Sequence, residues 1–138
     1  MAKLVRFSIA LEDDLLAKFD RYSKSKKYHN RSDAVRAIIR GELVKSEWRS
    51  GSEVAGAIVL VYDHHKREVV NKLTDTQHDF HEMVISNQHV HLDHHNCLET
   101  IVVKGNPKKV EALANKLKSI KGVKYGALTA ATTAKWLP

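Results

Sequence analysis

The run Val54–Tyr62, "VAGAIVLVY", is almost continuously apolar and contains no charged residue. Such a run is typical of a strand that is buried in a sheet. Gly51-Ser52 precedes it and separates it from a more basic segment. We therefore predict a domain that begins at residue 51 and contains this strand.

The rest of the chain after Tyr62 alternates between helical and strand patterns. Apolar residues at helical spacing predict one helix over residues 65–76 and another from Asn106-Pro107 to Gly122. Three further strands are predicted over residues 81–92, 97–104 and 123–132. The order βαββαβ predicts a ferredoxin-like domain over residues 51–138, within an α+β chain. One face of such a sheet stays open, so we expect this domain to form oligomers.

Residues 1–50 follow a different pattern. Apolar and polar residues alternate from Val5 to Leu11, which predicts one strand. The acidic residues 12–14 begin a first helix, and Asn30 is a predicted N-cap for a second helix. A lone strand leaves both edges unpaired. We therefore expect it to pair with the same strand of a second chain, in an intertwined dimer.

Charge and histidine are unevenly distributed along the chain. Residues 1–50 hold twelve Lys and Arg against seven Asp and Glu, whereas eight of the nine histidines lie between His64 and His95. The polar face of the N-terminal strand carries Arg6, Ser8 and Ala10. A two-stranded ribbon fits the DNA major groove. Double-stranded DNA is therefore the expected partner of the first domain.

Residues 5–40, "VRFSIALEDDLLAKFDRYSKSKKYHNRSDAVRAIIR", resemble a ribbon-helix-helix DNA-binding domain. The resemblance lies mainly in the acidic helix start and in the N-R-S-D-A opening of the second helix. It implies that Arg6, Ser8 and Ala10 read bases and that the second helix's N-terminal amides hold a phosphate. Ala10 departs from the family pattern, because it offers only a methyl group.

The stretch His89–Cys97, "HVHLDHHNC", contains four histidines and the only cysteine. His89 and His91 project to one face of a strand, and Cys97 returns on the next strand. The fourth ligand is expected from elsewhere, with His78 as the leading candidate. Two simpler interpretations need no metal. The histidines could belong to a loop that is only solvated, and the cysteine could be a small hydrophobic residue of the core. The residues alone leave tetrahedral zinc and planar nickel or copper open.

Residues 76–99, "TQHDFHEMVISNQHVHLDHHNCLE", resemble the metal site of the nickel-responsive transcriptional regulators. Those proteins join a ribbon-helix-helix domain to a ferredoxin-like (ACT-type) regulatory domain. The resemblance implies square-planar Ni²⁺ bound by His89, His91 and Cys97 of one subunit and His78 of a neighbour. It also implies a homotetramer, a dimer of dimers, with the metal at the interfaces of its core.

Further residues follow from the same resemblance or from metal chemistry. Tyr62, Gln77 and Glu99 are candidates to orient the ligands, since a metal-bound imidazole needs its other nitrogen satisfied. The resemblance implies that Lys66 and Arg67 contact phosphates. Asp33 matches one acidic position of the family's second cation site, whereas Ala37 replaces the other. Surface, supporting or weaker metal-binding roles are open for four other histidines: His64, His81, His94 and His95.

Together with these features, the resemblance implies a nickel-dependent, sequence-specific regulator that binds a palindromic operator more tightly with Ni²⁺ and represses nickel-uptake genes. The alternatives are a metal store or chaperone and a regulator that responds to zinc or copper. A metalloenzyme is not expected, because catalysis needs an open coordination position and this ligand set looks full. One cysteine, no signal peptide and no membrane span predict a cytoplasmic protein.

Overall fold

A computed structural model of the chain describes residues 2–138. Contacts divide it into two compact units, one that ends at Leu43 and includes Leu137–Pro138, and one that spans Val44–Trp136. This division of contacts falls between Leu43 and Val44, and the domain boundary at residue 50 stays a prediction. The physical reason for this division is Trp48, which packs against the core of the second unit and donates from its indole nitrogen to the Ala131 carbonyl at 2.9 Å.

The first unit contains α1 (Asp13–Ser25) and most of α2 (Arg31–Ser50), whose residues from Val44 onward are assigned to the second unit. Asn30 caps α2 as predicted, because its side-chain oxygen accepts a hydrogen bond from the Asp33 amide at 2.8 Å. Two hydrogen bonds of 2.9 Å join the Arg31 guanidinium to the Asp20 carboxylate. This guanidinium holds the pKa of Asp20 below its usual range. The pair connects α1 to the start of α2.

Residues 2–11 form no helix or strand and are exposed to solvent. The side chains of Val5, Phe7 and Ile9 are 70 to 79% exposed, so one copy of this segment buries almost no apolar surface. The strand predicted here requires a partner strand from a second chain. The ribbon-helix-helix dimer therefore stays a prediction.

The second unit contains the predicted βαββαβ order. Its elements are β1 (Val54–Asp63), α3 (Arg67–Asp79), β2 (Val84–His91), β3 (Asn96–Gly105), α4 (Pro107–Lys118) and β4 (Val123–Ala130). All three strand pairs are antiparallel, in the order β2-β3-β1-β4. The ferredoxin-like prediction is confirmed for this unit. Within residues 2–138, no helix is long and apolar enough to cross a membrane.

One face of the sheet is buried and the other is more open. Burial alternates along β1, so that Ile58, Leu60 and Tyr62 belong to the core while their neighbours are half-buried. Side chains of α3 and α4 join this core, among them Leu73 and Leu113. The buried face is also the one that carries the candidate metal ligands.

Candidate metal centre

The pairing of β2 with β3 brings three predicted ligands to one face of the sheet. His91 lies directly opposite Cys97, and His89 lies opposite Glu99. Directly opposed residues of antiparallel strands project to the same side. The three side chains therefore share one face of the sheet, as their spacing predicts. His89 and His91 lie on the edge strand β2, and Cys97 lies on β3.

Cys97 is fully buried in this arrangement. Its thiol donates a hydrogen bond to the Tyr62 carbonyl at 3.4 Å. Burial raises the pKa of Cys97, so the metal-free chain holds the protonated thiol. A metal binds the thiolate, and loss of this proton would therefore accompany coordination.

The two histidines of β2 are exposed, and their ring centroids are 5.4 Å apart. Within residues 2–138, three potential ligand atoms lie within 4.8 Å of one another in a different place. They belong to Asp63, His65 and His95, and not to His89, His91 and Cys97. Coordination by His89, His91 and Cys97 therefore requires the imidazoles to turn toward the sulfur. Two imidazoles and one thiolate fit a borderline divalent ion such as Ni²⁺.

His78 lies in the last turn of α3. The predicted helix ended at residue 76, but the observed helix runs to Asp79, and the Phe80 amide then bonds to the Gln77 carbonyl. His78 and His89 line the same surface pocket, of about 420 Å³. Donation of His78 across a subunit interface concerns a second chain, and it stays a prediction.

Glu99 is the centre of a buried hydrogen-bond network beside this pocket. The Tyr62 hydroxyl donates to its Oε1 at 2.6 Å, and the Gln77 amide donates to its Oε2 at 2.9 Å. The three residues predicted as orienting partners therefore bond mainly to one another. One of them also touches a predicted ligand, because the Tyr62 ring stacks on His89 with centroids 5.9 Å apart.

Asn87 is a member of this network that the sequence analysis missed. Its amide donates to Glu99 Oε2 at 3.3 Å and to Gln77 Oε1 at 3.1 Å. The signal that could have found it is its position two residues before His89. Residues two apart on a strand face the same side, so a polar residue there lies beside the ligands.

His64 was assigned no definite role, yet it contacts a predicted ligand. Its ring stacks on His91 with centroids 4.2 Å apart and planes 4° apart. Burial lowers the pKa of His64, and His91 beside it acts in the same direction. Its Nδ1 is buried and has no hydrogen-bond partner. The His64 ring therefore packs against the side chain of a predicted ligand, His91.

The predicted DNA-contacting residues are all accessible. Lys66 and Arg67 are exposed at the start of α3, where Lys66 is the N-cap. Arg6, Ser8 and Ala10 lie in the exposed N-terminal segment. Asp33, the candidate for a second cation site, forms an ion pair with Arg36 on the same helix.

Comparison with known proteins identifies the family. Residues 55–131 match the family model described as "NikR C terminal nickel binding domain". Proteins from Syntrophus aciditrophicus and Chlorobium limicola are each 54% identical to this chain. The first match covers 94% of both chains, and the second covers 96% of this chain and 98% of the relative. Both carry the name "Putative nickel-responsive regulator".

A solved structure supports the fold alone. An uncharacterized protein from Thermotoga maritima aligns with a TM-score of 0.52 and 16% identity, over 57% of this chain and 98% of that one. The family description confirms Ni²⁺ as the predicted cofactor, and the relatives' names confirm the prediction that the protein is not an enzyme. The chain belongs to the nickel-responsive regulator family, and residues 55–131 are its nickel-binding domain.

Proposed function

We propose that this chain is a nickel-dependent, sequence-specific DNA-binding repressor of nickel-uptake genes, active as a homotetramer in the cytoplasm. The observation that carries the proposal is the register of β2 and β3, in which His91 opposes Cys97 and His89 shares their face. His78 of a neighbouring subunit completes the ligand set. Side chains of two subunits would then bind the same Ni²⁺ ion, and the ion would join the two subunits.

The residues around the site suggest how coordination is transmitted. Gln77 precedes His78 on α3, and it bonds to Glu99, which lies two residues after Cys97 on β3. Movement at His78 is therefore coupled to the strand that carries the thiol. Lys66 and Arg67 stand at the other end of α3. Coordination at His78 would fix the position of this helix and thereby place their charges for contact with phosphates.

The first unit supports DNA binding through a dimer. Its exposed apolar side chains include Phe7, Ile9, Ile38 and Ile39. Exposed apolar side chains in such number are typical of a surface that binds another protein chain. Pairing with a second copy would cover this surface. It would also set two copies of Arg6, Ser8 and Ala10 on one ribbon.

A DNA-binding titration tests the function. The probe is a palindromic DNA recovered by selection from random sequences with the nickel-loaded protein. We expect Ni²⁺ to tighten binding by at least about fivefold, the low end of typical allosteric coupling. Cys97→Ala should lose the response, whereas His94→Ala should keep it. Equal affinity of the wild type with and without Ni²⁺ would refute the proposal.

Absorption spectroscopy separates nickel binding from DNA binding. The wild-type protein should show a thiolate-to-nickel charge-transfer band, and Cys97→Ala should lose it. The band without any DNA binding would instead identify a metal store. Zn²⁺ and Cu²⁺ in the same titration test the alternative, a regulator that responds to another divalent metal.

A mixing experiment tests the shared site. The His78→Ala chain and the Cys97→Ala chain should each lack the charge-transfer band. When the two chains are unfolded and refolded together, sites with His78 from one chain and Cys97 from the other become complete. We expect the band to return in part. Its absence from verified mixed oligomers would show that His78 is not donated across chains.

A further inference from the structure

A second group of potential metal ligands lies where two turns meet. Asp63 ends β1, His65 follows it in the turn before α3, and His95 lies in the turn between β2 and β3. One ligand atom from each residue lies within 4.8 Å of the other two. None of the three belongs to the four-ligand nickel site proposed above.

The two turns are already joined at this point. The His64 amide donates to the His95 carbonyl at 3.2 Å. Within each turn an aspartate fixes the backbone of the histidine. The His65 amide donates to Asp63 Oδ1, and the His95 amide donates to Asp93 Oδ1, each at 2.9 Å. Hydrogen bonds thus hold the backbones that carry both imidazoles.

The donor chemistry fits a transition-metal ion. Two imidazoles and one carboxylate suit borderline divalent ions, and such a three-point set leaves coordination positions for water. The carboxylate is available as an anion, because the His65 amide hydrogen bond holds the pKa of Asp63 below its usual range. The His65 ring nitrogen Nδ1 already lies 3.4 Å from Asp63 Oδ1.

The distances require only a small adjustment. Two ligand atoms at about 2.1 Å from one ion lie up to about 4.2 Å apart. The ligand atoms of the three residues already lie within 4.8 Å of one another, so a modest rotation of a side chain brings them to this separation. His65 and His95 are both exposed, and the rings nearest to them are those of neighbouring histidines, His64 and His94.

The group is separate from the Cys97 site. Asp63 is paired with Asn96, whereas the neighbouring pair is Tyr62 and Cys97. Successive residues of a strand point to opposite faces, so the Asp63 carboxylate and the Cys97 sulfur lie on opposite sides of the sheet.

We propose that Asp63, His65 and His95 form a second, solvent-accessible site for a borderline divalent cation such as Zn²⁺ or Ni²⁺. Metal bound there would clamp the turn before α3 to the turn between β2 and β3. Lys66 and Arg67 directly follow His65, so the clamp would also restrict the backbone that carries these two charges. The site does not depend on the four-ligand site, and each can exist without the other.

The test uses full-length Cys97→Ala protein, in which the first site is disabled, and Zn²⁺ as the probe. Nitrogen-15 NMR of the histidine rings reports coordination directly, because a bound nitrogen shifts. We expect His65 and His95 to shift together on titration and His94 to stay unchanged. His65→Gln, His95→Gln and Asp63→Asn should each weaken this binding at least about tenfold.

The matched control is His94→Gln, which removes a histidine from the same turn as His95 and should leave the affinity unchanged. Backbone spectra of every variant verify that the fold is kept. The proposal is overturned if His65 and His95 stay unshifted up to millimolar Zn²⁺. It is equally overturned if His94→Gln weakens binding as much as His95→Gln does. Nickel absorption of the Cys97-containing protein reports the first site independently.

Discussion

The hydroxyl of Tyr62 donates a hydrogen bond to Glu99 Oε1 at 2.6 Å, and both side chains are buried. Gln77 and Asn87 donate to the other carboxylate oxygen. A buried carboxylate is tolerated only when its oxygens are hydrogen-bonded. Here the donors come from β1, α3 and β2, so this single side chain connects every element that carries a proposed nickel ligand.

Tyr62→Phe should destabilise the protein. The substitution keeps the ring and leaves Glu99 Oε1 buried without its donor, which costs about 1–3 kcal/mol in the free energy of unfolding. Urea denaturation at one fixed protein concentration measures the change. Tyr125→Phe is the matched control, because Tyr125 is 62% exposed. An equal effect of the two substitutions would show that the Tyr62 hydrogen bond is energetically unimportant.

Asp93 should make stability depend on acid pH. The Asn96 side chain, together with the Asn96 and His95 amides, holds the pKa of Asp93 well below its usual range. A depressed pKa contributes stability that is present above the unfolded value of about 3.9. That contribution is lost as pH falls toward the folded value.

Asp93→Asn tests this expectation, since the amide keeps an acceptor oxygen and cannot titrate. As pH is lowered from 5 to 2, the midpoint temperature of thermal unfolding should fall more steeply for the wild type than for the variant. The same substitution at the exposed Asp75 of α3 is the control. Parallel curves for the wild type and Asp93→Asn would contradict the assigned role of these hydrogen bonds.

Two glycines should respond to alanine with opposite signs. Gly122 has φ of +104°, and an added Cβ would lie 2.3 Å from Cγ2 of the buried Val69. Gly122→Ala should lower the free energy of unfolding by about 1–3 kcal/mol, through strain and overpacking. Gly41 lies inside α2 with no atom within 4 Å of an added Cβ.

Gly41→Ala should therefore stabilise its helix by about 0.5–1 kcal/mol, because alanine has the better helix propensity. Denaturation curves followed by circular dichroism measure both variants. A stabilising Gly122→Ala would mean that the turn before β4 differs from the one described here.

Lys66 and Arg67 should contribute charge to DNA binding without reading bases. Each phosphate contact contributes about 0.9 to the slope of log affinity against log salt concentration. Lys66→Ala with Arg67→Ala should thus reduce that slope by about two for any DNA sequence. Lys108→Ala with Lys109→Ala, exposed on α4, is the control pair and should leave it unchanged. If the Lys66→Ala, Arg67→Ala variant keeps the wild-type salt dependence, the start of α3 does not contact DNA phosphates.

Elements with strong local signals could be predicted from the sequence. Asn106-Pro107 predicts the start of α4, and the structure shows Asn106 Oδ1 accepting from the Lys108 amide at 2.9 Å. The end of α3 was placed too early, because the polar residues before Phe80 carry no apolar period. The N-terminal strand has a clear period, but its pairing depends on a second chain.

The sequence by itself determined which side chains could take part in metal binding and which of them share a strand face, because strand periodicity is a local property. Only the tertiary structure decided that His91 lies opposite Cys97 and that His65 lies close to His95. It also decided that Glu99 accepts hydrogen bonds from three side chains, those of Tyr62, Gln77 and Asn87. These encounters depend on the register of β2 against β3 and on how two turns meet. The pairing of distant segments is set by burial of the whole core, which no local pattern of residues reveals.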